Sequence, residues 1–166
     1  MPVQNPRDLF IYDLSTVLAA EQSISQQLSQ MEQACQNPQV KQMFSQHITD
    51  TQRQVSRVQD CFRLIGAQPM NVSCYAVDCM QQDMQQFVQQ GPSQDMIDMF
   101  CLGAALKTEH YEIAAYRGLV EKARMMGETQ LVSVLEDNLR EEIDTCKQVR
   151  QMGTQMGSQV IHRMQP

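Results

Sequence analysis

Leu14, Val17, Glu21, Ile24, Leu28, Met31 and Cys35 recur in alternating steps of three and four residues. That spacing keeps one face of an α-helix against a partner. The rhythm returns in Phe44, His47, Thr51, Gln54, Val58, Cys61 and Ile65, and again in Leu102, Ala105, Glu109, Glu112, Tyr116, Leu119 and Ala123. A fourth stripe runs through Leu131, Leu135, Asn138, Glu142, Thr145, Val149 and Met152. Four such helices bury their stripes most simply against one another. At 166 residues and 42% hydrophobic, the chain suffices for one substantial core.

Carboxylates interrupt these seams. Glu21, Glu109, Glu112 and Glu142 fall within them, and Asp50 lies beside the second, one helical turn from His47 and from Gln54. An unpaired ionised carboxylate in an apolar interior is costly or changes its protonation. Several converging ones therefore need cations, shared protons or buried water, and a metal is the economical answer. A one-residue change of register would turn Glu141 inward in place of Glu142. Hydrogen bonding to Tyr111, Tyr116 or Arg117 is the alternative role for Glu109 and Glu112.

Helix boundaries are clearly punctuated. Asn5 before Pro6 and Asn37 before Pro38 place a capping side chain ahead of proline at the first helical position. They predict helices over residues 6–35 and 38–65. The glutamine-rich stretch 71–90 reads as a shorter connecting helix. Gly91, Pro92 and Ser93 then supply a break and a cap before a helix to about Met126, closed by Gly127. The last long helix is expected over 128–152. Gly153 and Gly157 lower helix propensity beyond it, so residues 153–166 are expected to form a tail, frayed or docked on a partner chain. Two helices, a long connection with a short helix, then two more give an all-α, ferritin-like four-helix bundle with one long crossover. The expected division is a bundle over 1–152 and a tail over 153–166.

A formal charge of −6 without a basic cluster argues against nucleic acid or an anionic membrane as partner. Met1 to Phe10 lacks the pattern of an export signal, and no stretch approaches the ~20 apolar residues of a membrane span. A soluble cytoplasmic protein is expected. Its six cysteines, without CxxC spacing, should then stay reduced, mostly as core fillers. Thirteen methionines and no tryptophan make a soft core, but Met and Cys are too dispersed for copper storage to be favoured. No phosphate loop, nucleophile elbow or Ser/His/Asp signature supports a hydrolase or transferase.

Several stretches are recognisable: Asp8-Leu9-Phe10 and Ala20-Glu21-Gln22, then His47-Ile48-Thr49-Asp50-Thr51 with Gln54-Val55-Ser56-Arg57. Glu109-His110-Tyr111-Glu112-Ile113-Ala114-Ala115-Tyr116 is the most specific, and Leu139-Arg140-Glu141-Glu142 completes the set. Over about residues 7 to 150 the chain resembles the YciE/YciF family of ferritin-like proteins. The resemblance implies a bacterial, dimer-forming bundle, a two-metal carboxylate site and an association with stress, with no established reaction.

Ferritin-like sites generally take a Glu from each of two helices and Glu-x-x-His from each of the other two. This chain departs from that pattern. Asp50 stands where the family's Glu is expected, and Thr49 with Gln52, and Glu142 with Thr145, take the Glu-x-x-His spacing. The candidate ligands are Glu21, Asp50, Gln54, Glu109, Glu112 and Glu142. His110 is excluded because it points about 100° away from Glu109 and still further from Glu112 around the helix. Oxygen-rich ligation favours iron or manganese. A ferritin-like metal protein is thus expected, with a non-enzymatic, dimeric stress or scaffold protein carrying a degraded site as the alternative.

Overall fold

The computed structural model describes residues 3–164. Five helices are present: α1 (Pro6–Ala34), α2 (Pro38–Leu64), α3 (Tyr75–Val88), α4 (Gln94–Met125) and α5 (Thr129–Met164). No strand occurs among the described residues. Asn5 Oδ1 accepts from the Asp8 amide at 2.9 Å, and Asn37 Oδ1 accepts from the Gln39 amide at 2.9 Å, so both predicted caps form. Ser93 occupies the cap position of α4, but its side chain makes no capping hydrogen bond.

Gly127, at φ 74°, ends α4 as expected. The Glu128 amide reaches Ala123 O and the Gly127 amide reaches Arg124 O, the paired bonds of a left-handed helix terminus.

α1, α2, α4 and α5 form the bundle, each packed against two others, while α3 rests on α4 and α1. The core falls into two clusters. One joins Phe10, Leu14, Val58, Phe62, Leu119 and Leu135; the other joins Ile24, Met31, Phe44, Cys101, Leu102 and Val149. The first therefore gathers the start of α1, the end of α2, the end of α4 and the start of α5. The second gathers the opposite ends. Neighbouring helices are antiparallel, and the segment between α2 and α4 travels the bundle's full length. This is the one-crossover, ferritin-like topology.

The last helix differs from expectation. α5 continues unbroken through Gly153 and Gly157 to Met164, so residue 152 is no structural boundary and the helical part of the expected tail belongs to the bundle. Met156 and Val160 are buried, and Arg163 reaches Asp95 of α4 at 3.0 Å. Packing outweighs the weak propensity of glycine. Residues 165–166 of that tail lie outside the described residues. Of the six cysteines, none disulfide-bonded, all but Cys79 are buried.

Candidate metal centre

Between the two apolar clusters lies a polar layer. α1 contributes Glu21; α2 contributes His47, Thr51 and Gln54; α4 contributes Glu109 and Glu112; α5 contributes Asn138 and Glu142. All are buried, and Glu21, Glu109 and Glu142 are fully so. One side-chain donor atom from each of His47, Glu109, Glu112 and Glu142 can be chosen so that all four lie within 4.8 Å of one another. Around a first-row ion with bonds of about 2.1 Å, ligand atoms stand up to about 4.2 Å apart, so a small contraction would close the group on a cation.

Hydrogen bonding leaves this layer unsatisfied. Partnerless buried atoms include both oxygens of Glu109 and of Glu142, Glu112 Oε2, Glu21 Oε2, His47 Nδ1, Thr51 Oγ1 and Gln54 Oε1. Elsewhere among the described residues such atoms occur only on Gln27 and Glu141. His47 Nε2 approaches Glu109 Oε1 to 3.1 Å, without the alignment of a hydrogen bond. Buried polar atoms are almost always paired, so this concentration calls for shared protons, buried water or a cation. The buried His/Glu cluster fits a metal ion in donor type, in separation and in its unmet bonding capacity.

Electrostatics agree. Burial, assisted by the neighbouring glutamates, pushes Glu112 and Glu142 well above the usual carboxylate range. Burial raises Glu109 to about 8, opposed by the neighbouring Glu142 carboxyl and aided by the charge of Glu21. Burial likewise raises Glu21 to about 8, opposed by the hydrogen bond from Tyr116. His47 is lowered to about 4 by burial, with Asp50 acting against the shift. Without a cation the layer holds protons and a neutral imidazole, as converging buried carboxylates require.

A hydrogen-bonded strut supports one side. Tyr116 donates to Glu21 Oε1, Asn138 Nδ2 donates to Tyr116 Oη at 2.9 Å, and Arg57 donates to Asn138 Oδ1 at 3.1 Å. Arg57 also pairs with Glu141 at 2.8 Å. Glu142 is thus the inward residue and Glu141 the rim residue. Neither Tyr116, committed to Glu21, nor Tyr111, which meets Cys74 Sγ at 3.1 Å, supplies the missing partners of Glu109.

The structure therefore joins Glu109, Glu112 and Glu142, and adds His47, which sequence reasoning placed in the polar layer but not among the ligands. Glu21 is buried in the same layer, held by the hydrogen bond from Tyr116. Gln54 is buried in the same layer. Asp50 is drawn away from it: its half-buried carboxylate pairs with Arg53 at 2.8 Å and accepts from Gln46 at 3.1 Å. At 3.6 residues per turn Gln54 lies about 20° from His47 around α2 and Asp50 about 60°. The same geometry corrects the α2 pair at Glu-x-x-His spacing, which is the buried Thr51 and Gln54; Thr49 and Gln52 are exposed. His110 is exposed and lies outside the group.

Fold and site together define a ferritin-like helical bundle with a carboxylate-and-histidine cluster in its core. The chain belongs to the family described as a domain of unknown function, DUF892, which it matches over residues 5–161. It is 26% identical over 143 residues to protein YciF of Escherichia coli, covering 86% of each chain. The crystal structure of that E. coli stress protein superposes with a TM-score of 0.89 at 24% identity, covering 93% of this chain and 98% of the other. YcfI of Rhodopseudomonas palustris gives a TM-score of 0.85 at 28% identity, covering 89% and 94%. A Xanthomonas campestris protein gives 0.78 at 23% identity, covering 98% and 100%. No helix among the described residues is long and apolar enough to cross a membrane.

Proposed function

We propose that this is a metal-binding, ferritin-like protein whose bundle core takes iron or manganese, as one ion or a pair, in a stress-related role. The carrying observation is the set of buried, partnerless donors on Glu109, Glu112, Glu142 and His47. Glu21 and Gln54 Oε1 are the additional ligands for a second ion, while Asp50 supports the rim through Arg53. Three carboxylates and one imidazole suit hard or borderline first-row cations better than Cu(I). When bound, such ions supply Lewis acidity and redox capacity. The protein's own part is to exclude water, to fix Glu21 through Tyr116, and to exchange the carboxyl protons for the cation.

Metal per chain in untagged protein from iron- and manganese-supplemented cells is the decisive measurement. The expected value is one to two ions, falling to zero in Glu109→Ala with the fold retained. Metal-free wild-type protein after anaerobic iron addition would instead favour a scaffold with a degraded site. That second reading rests on Thr51 and Gln54 where a ferritin-like site carries Glu and His.

We also propose that the protein acts as a cytoplasmic homodimer. Leu9 and Tyr12, one turn apart on α1, are 42% and 41% exposed and leave an apolar strip uncovered. Sedimentation equilibrium should give twice the chain mass; a monomer at all concentrations refutes it.

A further inference from the structure

The sulfur atoms scattered along the sequence collect at one end of the fold. Met31, Cys35, Cys74, Met84, Cys101 and Met156 are all buried in the cluster beyond the carboxylate layer, with Met43, Met80, Met99 and Met152 packed around them. Within it, Cys101 Sγ lies 3.9 Å from Met84 Sδ. Cys35 is buried in the same cluster as Cys101.

One device fixes this arrangement. Asp98, one turn before Cys101 on α4, accepts from the Gln36 and Asn37 amides at 2.9 Å each, immediately after Cys35. The buried carboxylate therefore pins the α1–α2 turn to α4 and holds the two cysteines in one cluster.

We propose that Cys35, Cys101 and Met84 form a binding site for one Cu(I) ion, separate from the carboxylate centre. Sulfur ligands about 2.3 Å from a metal in a trigonal arrangement stand about 4 Å apart, which is the spacing of Cys101 and Met84. Thiolate and thioether donors select soft Cu(I) over the hard cations suited to the glutamates. Both thiols ionise to ligate, so uptake of one Cu(I) releases two protons to solvent and leaves this region with one negative charge. All three sulfurs are buried. A groove of about 510 Å³ lined by Gln36, Asn37, Gln94 and Asp98 opens beside the residues that flank the thiols.

The test is anaerobic titration of reduced, full-length protein with Cu(I) against a chromophoric Cu(I) chelator, followed by X-ray absorption spectroscopy of the loaded protein. About one equivalent with sulfur-only coordination is expected, with affinity falling more than about 100-fold in the Cys35→Ser, Cys101→Ser double variant. Iron content should not change in that variant, which separates this site from the carboxylate centre. Should the double variant fail to fold, the near-isosteric Met84→Leu variant decides: it should weaken Cu(I) binding about tenfold and remove one sulfur from the coordination shell. Failure of wild-type protein to compete with the chelator would overturn the proposal. So would binding insensitive to these variants but lost in His47→Ala or Cys79→Ser.

Discussion

Glu109 is protonated where an ordinary glutamate is charged, and this has a sign that can be measured. Its pKa is about 8 in the fold against 4.5 for the free side chain, and Glu21 behaves alike. Between those values the folded state holds more protons than the unfolded one, so stability falls as pH rises. His47 acts in the opposite sense: lowered to about 4, it favours folding as pH rises from there to 6.5. The glutamates outnumber it. Metal-free protein should therefore melt several degrees lower at pH 8.5 than at pH 6.5. Glu109→Gln should flatten this dependence and metal loading should reverse it. A metal-free melting temperature that rises over this interval would contradict the assigned protonation. At this scale the sequence was legible where helical phase is unambiguous: Glu21, Glu109 and Glu112 lie on stripes that are buried, whereas only the fold chose Glu142 over Glu141 as the inward residue. It was less so for Asp50, where about 60° of rotation separates a ligand from a rim residue. His47 was visible on the stripe of α2, but only the approach of α4 and α5 puts it beside three carboxylates.

The helices themselves were legible from their ends. Asn-Pro pairs and positive-φ glycines act within a turn of chain, so local chemistry locates those boundaries. α5 escaped because its continuation depends on tertiary contacts: Met156 and Val160 are buried and Arg163 pairs with Asp95 of α4. Burial of the two apolar side chains is worth about 3 kcal/mol together. Truncation after Met152 should therefore lower the melting temperature by roughly 5–10 °C while leaving the carboxylate layer able to bind metal. Thermal unfolding by circular dichroism checks this, and an unchanged melting point would show that the last three turns contribute nothing.

Across the whole molecule, the polar layer is the place where all four long helices meet, so a bound ion ties them together. A ligand that binds only the folded state stabilises it by about 4 kcal/mol when free metal reaches ~1,000 times its Kd. Calorimetry with and without metal should show one transition shifted upward, and the shift should vanish in Glu109→Gln. The crossover adds a different consequence. It leaves α1–α2 and α4–α5 as two hairpins, the first carrying Glu21 and His47, the second Glu109, Glu112 and Glu142. Severed at the exposed turn around Gly91, each piece would keep a hairpin but only part of the ligand set. The centre would then become a reporter of reassociation, filling only when two separate polypeptides have found each other in the correct register.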